Sequence, residues 1–443
     1  MTVSELRPTY DVIVAGAGIA GISAAVAAAR QGASTLLVER YGFVGGMSTA
    51  GMVTPFMKYW IQQEDGTRVP LVGGIFEELN AHMAAIGGMV ENGFSALAFK
   101  QAAARMLRES GAETALLTSI IGVRRNGPRI EAVTLRCGTD ERTVEGACFI
   151  DTTGDAELLF AAGAPWVKGD EATGKLQAMT MFFRIGGIDL RAACDDVRAR
   201  PEQYFDWSTW RYEPSKIVSI AGYRDTVARA HASGDLPEDV PYLFFTSLPG
   251  SGEAAFNTTN ILGRDGSSSA DLTAAELEGR RQAMRAAALL KRECPGFASS
   301  YLIETSVQVG VRETRRAVGE YAVTGADVRG GARFDDAVAR ANYGVDIHGQ
   351  KGERSVMEYL KEGEYYQIPV RSLIVKELEN LLTAGRSISS TREGHAALRI
   401  QATSSATGEA AGTAAALAVR NGTGVRAVPY DALRAILTKA GNI

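Results

Sequence analysis

The run Gly16-Ala17-Gly18-Ile19-Ala20-Gly21 is a G-x-G-x-x-G, and Glu39 follows it at an offset of about 20 residues. Glycines at that spacing let a backbone turn tightly and lie against an anionic diphosphate, and an acid at that offset accepts hydrogen bonds from ribose hydroxyls. A second group is suited to acid–base work. The chain has 4 histidines, His82, His231, His348 and His395. His395, close to Arg392 and Arg399, is the first candidate for a general base or a substrate hydrogen bond, and His348, just after Asp346, is the second. His82 and His231 fall inside helical patterns and are read as structural. Arg312, Arg315, Arg371 and Arg399 are candidates to clamp an anion, although Glu313 and Glu320 predict ion pairing for at least part of the Arg312–Arg316 group.

The elements that must position these residues follow from pattern. Residues 11–15 form a short apolar run typical of a buried parallel strand. An alanine-rich helix is predicted from Ile19 to about Gln31, with Gly32 as its stop, and a second strand over 34–38 ends at Glu39. That is one βαβ unit whose helix N-terminus offers free N–H groups to phosphates. The glycine-rich loop 41–51 lies directly after the acid and can place backbone against a flat or anionic ligand. Helices are predicted over 73–88 and 95–111, the second with Ser95 as N-cap and Gly111 beyond its end. Runs at 114–123, 130–136 and 142–150, separated by turn signals at Asn126-Gly127 and Gly138-Thr139-Asp140, read as an antiparallel meander within about 113–150. It delivers the turn Asp151-Thr152-Thr153-Gly154-Asp155.

From about Trp166 to Asn342 the pattern changes. Strands are predicted over 176–185, 241–248 and 253–261, and a helix opens at a Thr273–Glu276 capping box and runs to about Glu293. Residues 378–385 read as a strand ending at glycine, and 399 to about 420 as one helix thinned by Gly408 and Gly412 for close packing. The expected fold class is therefore α/β: a discontinuous Rossmann-like nucleotide domain, 1–165 with 343–443, carrying an inserted α+β substrate or cap domain, 166–342.

Bulk properties exclude several classes. The chain has 443 residues, 46% hydrophobic and 22% charged, enough for a normal core. A net charge of −4 with signs mixed, and no basic-aromatic platform, argues against nucleic acid. The 4 cysteines, Cys137, Cys148, Cys194 and Cys294, show neither C-x-x-C nor metal spacing, so no metal, disulfide framework or dithiol chemistry is expected. The first residues lack the pattern of a signal peptide, and no run of about 18 apolar residues occurs. The expectation is a cytoplasmic protein without a membrane span.

Taken together, these pieces resemble the FAD-dependent oxidoreductases of the glutathione-reductase-like flavoprotein class, distant relatives of the fumarate reductase and aspartate oxidase flavoproteins. The resemblance is carried by the 14–21 and 38–40 segments, Val44-Gly45-Gly46-Met47, 151–155, 310–316, 343–349, 368–373, 380–389 and 399–412. It implies FAD bound extended. The ADP half would lie on Gly16, Ala17, Gly18, Ile19, Ala20, Gly21, Glu39 and Arg40, and the flavin half under Gly45, Gly46, Met47 and Ser48. Thr153, Gly154 and Asp155 would lie on the adenosine side and Gly385-Arg386 near the pyrophosphate and ribityl chain. The helix starting near Ile400, Gln401, Ala402 and Thr403 would aim its N-terminus at the flavin, stabilising the reduced anion. The sequence departs from the family pattern at Arg392, where histidine is common, and at Ala396-Ala397, where Gly-Ser is common.

The implied activity is hydride transfer between a small organic substrate and flavin. His395, Arg399, His348 and Arg371 are the catalytic candidates; Met179 and Thr180 are placed by position beside the flavin, and Tyr365, Tyr366 and Gln367 along the pocket wall. No second dinucleotide fingerprint is present, so electrons are expected to pass to O2, a quinone or a separate redox partner. Three alternatives keep the same unit: a non-redox flavoenzyme such as an isomerase, a binding protein without turnover, and an NAD-dependent dehydrogenase. A homo-oligomer is left open.

Overall fold

The computed structural model describes residues 5–250, 252–349 and 355–443. A 7-stranded sheet organises the nucleotide side. Glu113–Ala115, Thr35–Val38, Thr9–Ala15, Asp140–Asp151 and Leu381–Thr383 run parallel in that spatial order. Asp140–Asp151 serves two layers. Its first half pairs antiparallel with Arg129–Cys137, which pairs with Ser119–Asn126, and its second half enters the parallel sheet. The strands buried on both faces are the Val-, Ile- and Leu-rich ones, as a sheet covered on both sides requires.

Two helices lie against this sheet as a pair. Ile19–Arg30 and Gln401–Asn421 are nearly all Ala, Gly, Ser and Thr along their buried lengths. A Cβ on Gly408 would stand 2.1 Å from the Ala20 carbonyl oxygen, and one on Gly412 2.1 Å from that of Ala24. Ser23 Oγ and Ser405 Oγ are 2.7 Å apart. Contacts advance in the same direction along both helices, so their N-termini lie on one side. Small residues do here what they do wherever helices approach to backbone contact: they remove the side chains that would hold the axes apart.

The inserted part has its own core. A 5-stranded antiparallel sheet runs in the order Ser219–Gly222, Leu243–Ser247, Ala254–Phe256, Phe183–Gly186, Tyr301–Thr305. The helix Ser269–Glu293 covers it with Ala283, Ala286, Leu289 and Leu290 against Phe183, Phe245, Phe256 and Phe297. Ala337–Ala341 pairs with Tyr366–Pro369 across the expected limit at 342, and Val323, Val338 and Ala339 share the nucleotide-side core.

Three local expectations are corrected. The 114–123 run is not one meander strand. Glu113–Ala115 joins the parallel edge, and Leu117, at φ 53, breaks the run so that Leu117 and Thr118 N–H donate to the Tyr41 and Glu39 carbonyls. The helix assigned to Thr273 starts a turn earlier, because Ser268 accepts from Asp271 N–H and caps it, while Thr273 back-bonds to the Ser269 carbonyl. The 176–185 strand is confined to Phe183–Gly186; upstream, Met179 and Thr180 make isolated bridges to Ile261 and Gly310. The expected 399–420 helix is present as Gln401–Asn421, and extended Ile400 (φ −76, ψ 143) separates it from a further short helix, Arg392–Leu398.

Candidate functional site

The glycine loop divides its roles by what surrounds each position. Gly16 sits at φ +89 with its Cβ position 2.8 Å from Thr153 Cα, and a Cβ on Gly21 would lie 1.8 Å from the Gly16 carbonyl oxygen. Those two glycines are demanded by the chain itself. Gly18 is different: a Cβ there would meet nothing within 4 Å. It borders the cavity, where a ligand approaches bare backbone. Glu39 is 6% exposed, with Oε2 accepting from Ala17 N–H at 2.7 Å and Oε1 from Tyr41 N–H at 2.9 Å. The acid therefore shapes the loop before it meets any ribose, and each oxygen keeps a lone pair for a hydroxyl.

The same cavity is lined by Gly16, Gly18, Ile19, Ala20, Glu39, Arg40, the loop Gly45 to Ser48, the turn Thr153 to Asp155, Gly385, Arg386, Arg399 and Gln401. Segments far apart in the chain thus converge on one space. A Cβ on Gly385 would be 2.9 Å from Ala20 Cβ, which puts the two ends of the chain on one lobe. Ala17, Gly21, Ile400, Ala402 and Thr403 do not line it; their part is to hold the two helix N-termini in place. Residues that motif reading did not single out also border it: Thr118, Ser119 and Ile120 at the break after Ala115, Glu157, Gln308 and Ser404. Gln308 reaches across from the inserted part, accepting from Arg40 Nη2 at 2.9 Å and from the Tyr41 hydroxyl. Nothing in its local sequence marks it.

The cavity suits an extended, anionic dinucleotide. Ile19–Arg30 and Gln401–Asn421 both begin without a side-chain cap and without an acid in the first turn, so their terminal N–H groups and positive dipole ends are left to a ligand. Arg386, on a short turn opened by Gly385 at φ +78, is held by Asp155 at 2.7 Å and the Val311 carbonyl at 2.8 Å. Arg399 Nε is buried without a partner among the described residues, a donor waiting at the far end.

Beyond Arg399 the material changes from backbone to side chains. Arg399 Nη2 is 3.1 Å from the Asp346 carbonyl and 3.3 Å from Asp346 Oδ2. Asp346 Oδ2 also accepts from the Tyr343 hydroxyl at 2.9 Å, and Oδ1 is 3.3 Å from His348 Nε2. His348 and Arg312 line a second cavity of about 690 Å³, with Tyr242, Asn257 and Asn260, a volume in the range of small-molecule sites. The Ala178 peptide joins the pair: its carbonyl accepts from Arg312 Nη1 at 2.7 Å and its N–H donates to the His348 carbonyl at 3.3 Å. Burial and the Arg312 charge hold the His348 imidazole below its usual pKa. Despite its burial, the Asp346 carboxyl is held below the usual carboxylate range by His348, Arg399 and Arg312.

The other candidates stand elsewhere. His395 is 1% exposed and borders neither cavity. Its Nε2–H donates to the Arg312 carbonyl at 3.1 Å, and burial pushes its pKa well down. It positions the Arg312 backbone rather than facing a ligand. Arg371 is on the surface, paired with Asp336 at 2.8 Å and stacked over Tyr321, because Asp336 sits directly across its short turn. Arg316 and Arg392 form the expected ion-pair network with Glu313, buried between Gly169 and Ser390. Tyr366 is core, donating to the Tyr343 carbonyl, and Met179 packs with Met181, Ile261 and Val309. Among the described residues no group of His, Cys, Asp and Glu could hold a metal, the cysteines are free, and no helix is long and apolar enough to cross a membrane.

Comparison with known proteins adds the following. A model of the FAD dependent oxidoreductase family matches residues 11–437. A urocanate reductase of Eggerthella lenta is 44% identical over 64 residues, a stretch that is 14% of this chain and only 10% of that protein. Among solved structures, a geranylgeranyl bacteriochlorophyll reductase-like protein from Thermoplasma acidophilum aligns over 97% of this chain and 83% of its own at 13% identity and TM-score 0.46. The p-nitrophenol 4-monooxygenase PnpA from Pseudomonas putida DLL-E4 aligns over 98% and 87% at 11% identity and TM-score 0.46. Likenesses that distant carry no argument about activity. The match along nearly the whole sequence does carry one, and the cavity it predicts is present: the chain belongs to the FAD dependent oxidoreductase family.

Proposed function

We propose that this FAD-dependent enzyme moves a hydride between a small organic substrate in the His348–Arg312 cavity and the flavin, with O2, a quinone or a separate redox protein exchanging the electrons afterwards. Bound FAD supplies the two-electron chemistry. The chain supplies the proton handling and the positioning. His348 directs Nε2–H at Asp346, which leaves Nδ1 with a lone pair to take a proton from a substrate X–H as hydride leaves its carbon, or to carry a proton in the reverse direction. Asp346 fixes that tautomer and stabilises the imidazolium that forms. Arg399 borders the cofactor cavity and holds the same carboxylate, so it adds positive charge where the reduced cofactor becomes anionic.

The single observation that supports this reading most is the junction itself. One carboxylate, Asp346, carries an arginine of the cofactor cavity on one side and a histidine of the second cavity on the other. Gly385, Arg386 and Gln401 line the same cavity as the glycine loop, which supports a cofactor-binding role for them. The test is anaerobic mixing of the FAD-loaded enzyme with a panel of small alcohols, amines and saturated acids. Bleaching of flavin absorbance by a panel member, with recovery on adding an acceptor, is the expected result. Turnover of a substrate with no bleaching and no acceptor requirement would overturn hydride transfer in favour of a non-redox reaction.

A further inference from the structure

Arg312 lines the second cavity, and among the described residues its chemistry is left incomplete. Its side chain makes a single hydrogen bond among the described residues, Nη1 to the Ala178 carbonyl at 2.7 Å. No described carboxylate lies within 4.0 Å of it, whereas Arg315 donates to the Asp155 carbonyl and stacks on Phe160, and Arg316 pairs with Glu313. Asp346, whose charge acts on Arg312, is already engaged by Arg399, His348 and Tyr343. Among the described residues the junction therefore holds two guanidinium cations against one carboxylate, with a histidine kept neutral beside them. A recessed cation without a counter-ion is costly unless a ligand supplies one.

We infer that the second cavity takes a substrate with one anionic head, a carboxylate or a group of the same shape, that pairs with Arg312 and thereby sets its reacting carbon beside His348. The inference rests on the proposed function for the identity of the cavity and adds the class of molecule. The rest of the lining narrows the class. Tyr242, Asn257 and Asn260 offer hydrogen bonds to a polar body, and Glu238 and Asp239 border the same space, so a second anionic end is repelled. Burial and the neighbouring Arg399 charge lower the Arg312 pKa to about 10, which agrees with a cation in need of a partner. A fixed planar fork also suits a carboxylate better than a spherical ion.

The test uses the FAD-loaded enzyme and two probes of nearly equal shape, propionate and its neutral isostere propionamide, at matched ionic strength. Binding is read as a change in flavin absorbance and, separately, as heat by calorimetry. Propionate is expected to bind at least about tenfold tighter than propionamide, the worth of one charge-assisted contact. Arg312→Gln should erase that preference without changing flavin content, and Arg312→Lys should keep part of it. Equal affinity of wild-type enzyme for the two probes overturns the inference, because that comparison needs no variant. Heat of binding with the anion preference intact but no change in flavin absorbance upholds the anion site and overturns its place beside the flavin. Bleaching by a neutral panel substrate, with no anion preference, leaves hydride transfer standing and removes the anionic class.

Discussion

In the cavity proposed for the cofactor the lining is rich in glycines and helix N-termini, held by Glu39 and by the packing of Gly408 on Ala20. In the cavity on the other side of Arg399 the lining includes the side chains of Arg312, His348, Tyr242, Asn257 and Asn260. The first recognises a molecule through a fixed backbone shape that any family member can reuse. The second recognises through charge and hydrogen bonding that single substitutions rewrite. The difference explains how one framework can keep its cofactor while its substrates diverge. It also predicts that damage to the two regions will look different: loss of fold and flavin on one side, loss of chemistry with flavin retained on the other.

The largest effect is expected from Gly408→Val. Its branched side chain would occupy the space of the Ala20 backbone, and overpacking there costs about 3 kcal/mol or more. Melting temperature and flavin content should fall together; a stable, fully loaded variant would show that the helix pair is not what holds the cavity. His348→Gln should do the reverse, keeping flavin and melting temperature while lowering the rate of flavin reduction by about 10²-fold or more. Unchanged reduction kinetics would remove His348 from the mechanism. Glu39→Ala sits between the regions in effect. It leaves the Ala17 N–H without its acceptor, a loss of about 1–3 kcal/mol, and removes the proposed ribose contact, so flavin should dissociate more than tenfold faster on dialysis while the fold survives.

A subtler probe is pH. Burial and the Arg312 cation both favour neutral His348, so its folded pKa lies below the ordinary value of about 6.5. The acid limb of kcat/KM should therefore fall below that pH, and Arg312→Gln should move the limb upward by removing the cation. A limb that stays in place in the variant would mean that another group titrates. The smallest effect is expected from Arg371→Ala. An exposed pair with Asp336 contributes about 1 kcal/mol or less, and flavin reduction should not change.

How much of this was legible in the sequence follows the same division. Gly16 to Gly21, Glu39 and Gly45-Gly46 are local signals written in nearby residues, and Gly16, Gly18, Glu39, Gly45 and Gly46 line the cavity; Gly385-Arg386, expected from the resemblance, line it too. Thr118 to Ile120 and Gln308 were invisible because only the sheet and the inserted part bring them to the cavity. His395 ranked above His348 on the neighbouring arginines, yet burial turns it toward the Arg312 carbonyl. Neighbours in sequence on a helix face different ways, and only tertiary burial selects which one meets solvent. Arg371 misled for the opposite reason, with Asp336 brought to it from a distant turn. The start of the last long helix near Ile400 was legible, whereas the short helix Arg392–Leu398 just before it was not.

The pairing of Ser23 with Ser405 spans 382 positions of chain. During translation the fingerprint loop leaves the ribosome first, but the alanine face of its helix has no cover until the distant partner helix emerges. The nascent chain must therefore extend past residue 421 before these two helices can pair, and a chain interrupted before residue 401 would present a greasy, unpartnered helix to chaperones and proteases. Acquisition of colour would then serve as a readout that synthesis had passed that helix.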